Sequence, residues 1–289
     1  MMNDYVIITD STTDLTPEMI ADLDLTIVPL EFTIDDQRHL DDGRDIDSKQ
    51  FYAMLRAGKM SVTGQVTTAR FAEAFEPFLQ DGHDILCIAF SSGLSGTCSS
   101  AHVAAQELAE KYPDRKIIAV DSLAASLGEG LLVYHAVMQK RAGLSIEELR
   151  IWVEENRNHL CHWFTVDDLY HLKRGGRVSP AAALFGTMLG IKPVLHVDDE
   201  GHLIPVEKVR GRKQSLDALV KHMIDTVIDP ESQMVFISHG DCLEDAQYVA
   251  DEVRSKMNVK DVAINFVGPV IGAHSGPGTI ALFFLGTHK

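Results

Sequence analysis

Short apolar runs and longer amphipathic stretches alternate along the first half of the chain. The β-branched run at 5–9 reads as a strand, and Thr16 followed by Pro17 reads as an N-cap with proline at the first helical position. The segment 25–34 is strand-like, with Pro29 marking an edge or a bend, and a polar stretch follows it. A helix closed by Gly58 is expected over 51–58, and a second from Arg70 to Gln80 behind Thr67-Thr68. Buried strands at 84–90 and 116–120 flank a helical pattern from Ser99 to Tyr112. A largely apolar helix from Leu127 to Arg141 comes next. Ser145 and Glu148 then have the S-x-x-E spacing of a capping box that opens a helix to about Asn158. Strands separated by helices of this length predict a mostly parallel sheet with right-handed crossovers.

The pattern changes near residue 159. A strand is expected at 161–166, a glycine-rich basic turn at 172–180, and a new helix from Ser179-Pro180. The segment 192–209 reads as a hairpin turning at Asp198–Gly201. Helix, strand, helix and strand follow at 213–227, 234–238, 243–256 and 262–267, and the glycine-flanked aromatic run near the end favours a final strand. The expected fold class is therefore α/β in two domains. Residues 1–158 carry a mostly parallel sheet flanked by helices, and residues 159–289 carry a mixed or antiparallel sheet with helices.

Length supports two domains, since 289 residues exceed one typical unit. A net charge of −16 argues against nucleic acid and anionic membrane surfaces, and no apolar run is long enough to span a bilayer. No secretory pattern stands at the start, and the four cysteines form no CxxC, so a reducing cytoplasmic setting is expected. His159, Cys161 and His162 match no zinc-finger spacing, so no metal site is expected.

Chemistry concentrates in loops that follow strands, where ligands of open α/β sheets collect. Residues 90–97 join a buried strand to a helix with two glycines and four hydroxyls (Ser91, Ser92, Ser95, Thr97). Close backbone approach and free helix N-terminal N–H groups make this an anion site suited to a carboxylate or phosphate. A tight turn with a serine cap explains the same residues as well. The segment lacks the last glycine of a nucleophile elbow and the lysine of a P-loop. The glycine- and proline-rich segment 268–278 surrounds one ionisable group, His274, and reads as a shaped binding loop. Residues 62–68 form a third loop. Asp10–Asp14 either caps a turn or lines the same crevice. None of these loops supplies Lys or Arg. The basic residues Lys173, Arg174, Arg177, Lys208, Arg210, Arg212 and Lys213 read either as a solvated turn or as a docking face.

These segments together resemble the DegV family. The resemblance runs through DSTTDL (10–15), TGQVTT (63–68), SSGLSGT (91–97), VDS followed by ASLGEG (120–130), FTVDDLYHLKRGGRVS (164–179), KPVL (192–195), EKVRGRKQ (207–214) and GPVIGAHSGPGTIALFFLG (268–286). It treats about 5–286 as one unit. The third loop departs from the usual T-S-Q-P pattern, having Thr63-Gly-Gln-Val-Thr67, which puts that loop's rigidity in question.

The resemblance implies a long-chain fatty acid of the palmitate or oleate class, lying in a tunnel between the two domains. It implies a carboxylate held by the hydroxyls of Thr63 and Ser95. The glycine loops extend that site to the Gly96 N–H and His274. It further implies a lipid-binding carrier without catalytic residue or cofactor, which presents the acid to a separate fatty-acid kinase. The tunnel wall is expected from Leu131 on the 127–138 helix and from Phe185, Met188, Leu189 and Ile191. The docking face is expected at Arg174, Arg177, Arg210 and Arg212. The rival expectation is a serine-dependent hydrolase or acyltransferase using Ser95 and His274.

Overall fold

The computed structural model describes residues 5–167, 169–179 and 190–289. The expected helix start at Pro180 and the tunnel candidates Phe185, Met188 and Leu189 lie outside the described residues.

Strand β1 (Tyr5–Asp10) leads through α1 (Pro17–Asp22) to β2 (Thr26–Val28). Thr16 caps α1 by accepting from the Met19 N–H, with Pro17 in its first turn. Pro29 then ends β2, and the chain leaves the sheet. β3 (Glu31–Ile34) and β4 (Gln37–Leu40) form a hairpin whose turn residues Asp35 and Asp36 both have positive φ. The polar stretch therefore holds a strand that its composition hides. Beyond α2 (Ser48–Arg56), β5 (Ser61–Gly64) pairs antiparallel with β3 to complete a three-stranded sheet.

The chain returns to β1's sheet through α3 (Thr68–Gln80), capped by Thr67, and β6 (Asp84–Ala89). After α4 (Thr97–Lys111) comes β7 (Ile117–Asp121). The result is a four-stranded, fully parallel sheet in the order β2-β1-β6-β7. α5 (Leu127–Arg141) and α6 (Ile146–Asn156) follow, the latter opened by the predicted Ser145–Glu148 capping box.

β8 (Leu160–Thr165) begins a second sheet, followed by α7 (Tyr170–Arg174), a helical turn that overlaps the start of the basic turn expected at 172–180. β9 (Ile191–Val197) and β10 (Leu203–Arg210) are the predicted hairpin, with a bulge between Pro205 and Glu207. α8 (Arg212–Thr226), β11 (Met234–His239), α9 (Leu243–Lys256) and β12 (Asp261–Phe266) lead to α10 (Pro269–Ser275) and β13 (Ile280–Leu285). Segment 268–278, expected as a loop, is mostly this short helix. The second sheet is mixed, ordered β10-β9-β8-β13-β11-β12, and parallel only between β11 and β12.

α5 carries fully buried Leu131, Leu132 and Val133 and packs on β8, β11 and β13, in the same core as Leu86 and Ile88 of the parallel sheet. Its low amphipathicity follows, because a helix between two sheets has no wet face. A separate small core joins Phe32, Phe51 and Tyr52 of the three-stranded layer to Val267 and Ala273. The Tyr52 hydroxyl donates to the Val267 carbonyl at 2.9 Å. Residues far apart in the chain thus bring β5 and α10 face to face, at the carboxyl end of β6.

Candidate functional site

A cavity of about 220 Å³ opens where β5, the β6–α4 loop, α10 and the second sheet meet. Thr63, Ser95, Gly96 and His274, the four residues expected to hold a carboxylate, all line it. Thr63 stands on β5 opposite Phe32, and its Oγ1 lies 2.8 Å from His274 Nε2 on α10.

One choice of proton positions leaves the Thr63 and Ser95 hydroxyls with protons to give. Thr97 Oγ1 accepts from the Val66 N–H at 3.3 Å and lies 2.9 Å from Ser95 Oγ. Ser95 Oγ also accepts from the Thr97 N–H at 3.2 Å. When Thr97 donates to Ser95, the Ser95 oxygen is filled with incoming protons and its own points elsewhere. In the tautomer with the proton on Nε2, His274 likewise donates to Thr63 and leaves the Thr63 proton available. Two hydroxyl donors and a helix N-terminus suit an anion.

Two glycines make this packing possible. A Cβ on Gly96 would lie 2.1 Å from Gln65 Oε1, and one on Gly175 would lie 2.1 Å from His274 Nδ1. Gln65, which also lines the cavity, donates from Nε2 to Ser100 at 3.0 Å. Burial, with Arg177 and Arg174 nearby, pushes the His274 pKa down to about 4, so the ring is neutral at pH 7.

Arg177 is the residue that loop-by-loop reading missed. It lines the cavity, with Nε donating to the Leu94 carbonyl at 3.2 Å and Nη1 to the Gly175 carbonyl at 2.5 Å. The site therefore has a cation in its wall, against the expectation drawn from the loops. It was assigned to a docking face because its sequence neighbours are basic and nothing local shows which way it folds. Arg174 donates to the Ala273 carbonyl at 3.1 Å, and Arg212 pairs with Asp245 at 2.8 Å. Arg210 is exposed at the end of edge strand β10.

The apolar wall comes from Phe90, Leu94, Phe164, Leu203, Val270 and Phe283, among others. Leu131 packs in the core between the sheets and Ile191 is half-buried at the start of β9; neither lines the cavity. Wall and core draw on the same residue types, so apolar periodicity could not separate them.

Asp10–Asp14 does not line the cavity either. Asp10 accepts from the Thr12 and Phe90 N–H groups at 3.0 and 2.9 Å. Thr12 Oγ1 lies 2.5 Å from Asp10 and 2.8 Å from Glu129 on α5. Burial raises the Glu129 pKa well above its ordinary value, with Asp10 adding to the rise. Burial likewise raises Asp14, and it raises Asp41 to about 7.

The serine-hydrolase geometry is not assembled. Among the described residues Ser95 is bonded to Thr97 rather than to His274, and His274 Nδ1 has no partner to orient it as a base. No group of His, Cys, Asp or Glu among the described residues is placed to hold a metal.

Family comparison agrees with this architecture. The model of the DegV family of uncharacterised proteins matches residues 4–287. The chain belongs to the DegV family. A DegV domain-containing protein of Clostridium perfringens is 49% identical over 289 residues, covering 100% of this chain and 99% of that one. Among solved structures, a DegV family protein from Thermus thermophilus, described for its fatty acid binding, superposes with a TM-score of 0.88 at 30% identity, covering 97% and 98% of the two chains. A stearic acid-binding protein from Eubacterium ventriosum gives 0.87 at 27% identity over 96% and 97%. The DegV fatty acid binding protein from Bacillus subtilis gives 0.85 at 28% over 98% and 99%. The fold of two α/β domains is thus shared with these structures.

Proposed function

We propose that this protein is a carrier that binds a long-chain fatty acid of the palmitate or oleate class in this cavity. The Thr63 and Ser95 hydroxyls, the Gly96 N–H, His274 and Arg177 hold the carboxylate. One observation carries the reading: an apolar cavity ends in the Thr63 and Ser95 hydroxyls, and with His274 and Thr97 donating to them each is free to turn its proton toward a ligand. The solved relatives described as fatty acid binding support it.

The energetics suit the assignment. Burying ~14 methylenes at ~0.8 kcal/mol each gives about 11 kcal/mol gross. Association costs remove about half, which leaves about 5.5 kcal/mol from the tail, a Kd on the order of 0.1 mM, so the carboxylate contacts supply the rest of a tight affinity. A buried carboxylate is costly unless paired, and Arg177 with the hydroxyls offsets that cost.

The acid is handed to a separate kinase in the cytoplasm, which phosphorylates the carboxylate; this chain supplies no nucleophile. Arg210, exposed at the end of the edge strand, is the docking contact, whereas Arg174, Arg177 and Arg212 are engaged within the fold. Mass spectrometry of an organic extract of the purified protein should find a stoichiometric fatty acid of this length. An empty extract, with no thermal stabilisation by palmitate or oleate, would end the carrier reading. Arg210→Glu should leave that binding intact and abolish acyl-phosphate formation with a partner kinase.

A further inference from the structure

The cavity wall has a second polar region, separate from the carboxylate site. It is built by Ser126 at the β7–α5 junction, Ser238 on β11 and His162 on β8, with Ser275 of α10 also in the wall. These side chains are almost completely buried, none more than 6% exposed. Among the described residues no hydrogen bond links the first three to Thr63, Ser95 or His274.

Their proton accounting leaves capacity open toward a ligand. Ser126 Oγ makes a short hydrogen bond to Asp14 and lies 3.0 Å from Ser238 Oγ. With Asp14 ionised, Ser126 donates to it, Ser238 donates to Ser126, and the Ser238 oxygen is left to accept. With Asp14 protonated the chain reverses and Ser238 has a proton to give. His162 donates from Nδ1 to the Leu160 carbonyl at 3.0 Å, which leaves Nε2 as an acceptor with only a 3.5 Å approach from the Ala125 N–H. Among the described residues Ser275 Oγ is buried without a hydrogen-bond partner.

The backbone supplies an independent sign. Ser126 has φ 57° and ψ −151°, a region that is essentially glycine's alone. Such strain persists only where the surroundings over-determine it, and it gathers at ligand clamps. Here it fixes the Ser126 hydroxyl between Asp14 and Ser238 in the cavity wall. A plain hydrocarbon chain lying against this wall would leave Ser275 and the open sides of Ser238 and His162 without a partner.

We infer that this wall is a second ligand station, which hydrogen-bonds an oxygen carried along the acyl chain, so that the favoured ligands are long-chain acids with a chain hydroxyl or oxo group. The inference rests on the fatty-acid reading above and narrows its ligand class. A site that offers hydrogen-bonding groups discriminates against a ligand lacking the matching group far more strongly than an apolar pocket does.

The test is calorimetric binding of stearate beside hydroxystearate and oxostearate regioisomers, oxygenated from mid-chain to the terminal third, to the delipidated full chain. At least one regioisomer should bind roughly tenfold or more tightly than stearate. Ser126→Gly suits the existing backbone and removes the hydroxyl; in it, and in Ser238→Ala, that ratio should fall to about one with stearate affinity unchanged. Stoichiometric stearate binding with no regioisomer preferred would overturn the inference and leave the carrier reading standing. A preference that survives both variants would also overturn it. Binding of neither class would remove the carrier reading and this inference with it.

Discussion

The carboxylate end of the cavity and the acidic cluster behind β1 are built from similar parts. Both gather buried hydroxyls and ionisable groups in loops at the carboxyl ends of strands, and both invited a ligand reading from sequence. They differ in where the protons go. Around Asp10 they stay inside the protein: the Phe90 and Thr12 N–H groups give to Asp10, and the Thr12 hydroxyl lies between the Asp10 and Glu129 carboxyls. Around Thr63 and Ser95 the hydroxyls line the cavity, and with His274 and Thr97 donating to them their protons are free to turn toward a ligand. A polar group satisfied by its own protein is scaffold; one left with a proton to give in an apolar cavity is waiting for a partner.

The largest test of that difference is the double substitution Thr63→Ala with Ser95→Ala. Losing two hydrogen bonds to a charged group, at ~1.5 kcal/mol or more each, should weaken fatty acid binding roughly 100-fold with little change in melting temperature. Retained affinity would break the distinction. The scaffold side predicts the reverse. Glu129→Ala strands Thr12 and leaves a cavity, and should cost ~3 kcal/mol in urea unfolding, while Glu129→Gln, whose amide can donate to Thr12, should cost about 1 kcal/mol. Binding per folded molecule should be unchanged in both.

A subtler effect is expected at Gly175. The Cβ of Gly175→Ala must displace His274, so binding should weaken about tenfold through misplacement of a positioning residue, at a stability cost of ~1 kcal/mol. The smallest effect separates the regions by the sign of their pH dependence. The folded pKa of His274 is about 4, against an ordinary 6.5. Between those values the unfolded chain binds more protons, so this group's contribution falls as pH drops. Asp41 has a folded pKa of about 7 against 3.8, so in that window the folded chain binds more protons and stability falls as pH rises. Melting curves should therefore show His274→Gln declining more steeply from pH 4 to 6.5 than the parent, and Asp41→Asn declining less steeply, by a few degrees in each case. The same slope in all three proteins would contradict these assignments.

Local signals were legible wherever local physics decides. The Thr16 and Thr67 caps, the Ser145–Glu148 box, the Leu127–Arg141 helix and the 192–209 hairpin follow from capping, turn chemistry and periodicity. β4 went unseen because its exposed, polar residues carry no apolar alternation, and α10 because glycine and proline density reads as loop. Thr63, Ser95, Gly96 and His274 were found because glycine-flanked hydroxyls and a lone histidine are chemically conspicuous, and they prove to line one cavity.

By itself, the sequence determined most element types, the two-domain α/β class and the segments that carry polar chemistry, since each depends on residues within a few positions of one another. The tertiary structure alone decided which of those polar loops faces inward and which apolar side chains bound empty space. It brought Arg177 to the cavity, sealed Leu131 into the core and closed Asp10 upon Glu129. These outcomes depend on contacts between residues tens to more than a hundred positions apart, and no local propensity encodes which partner a buried proton will meet.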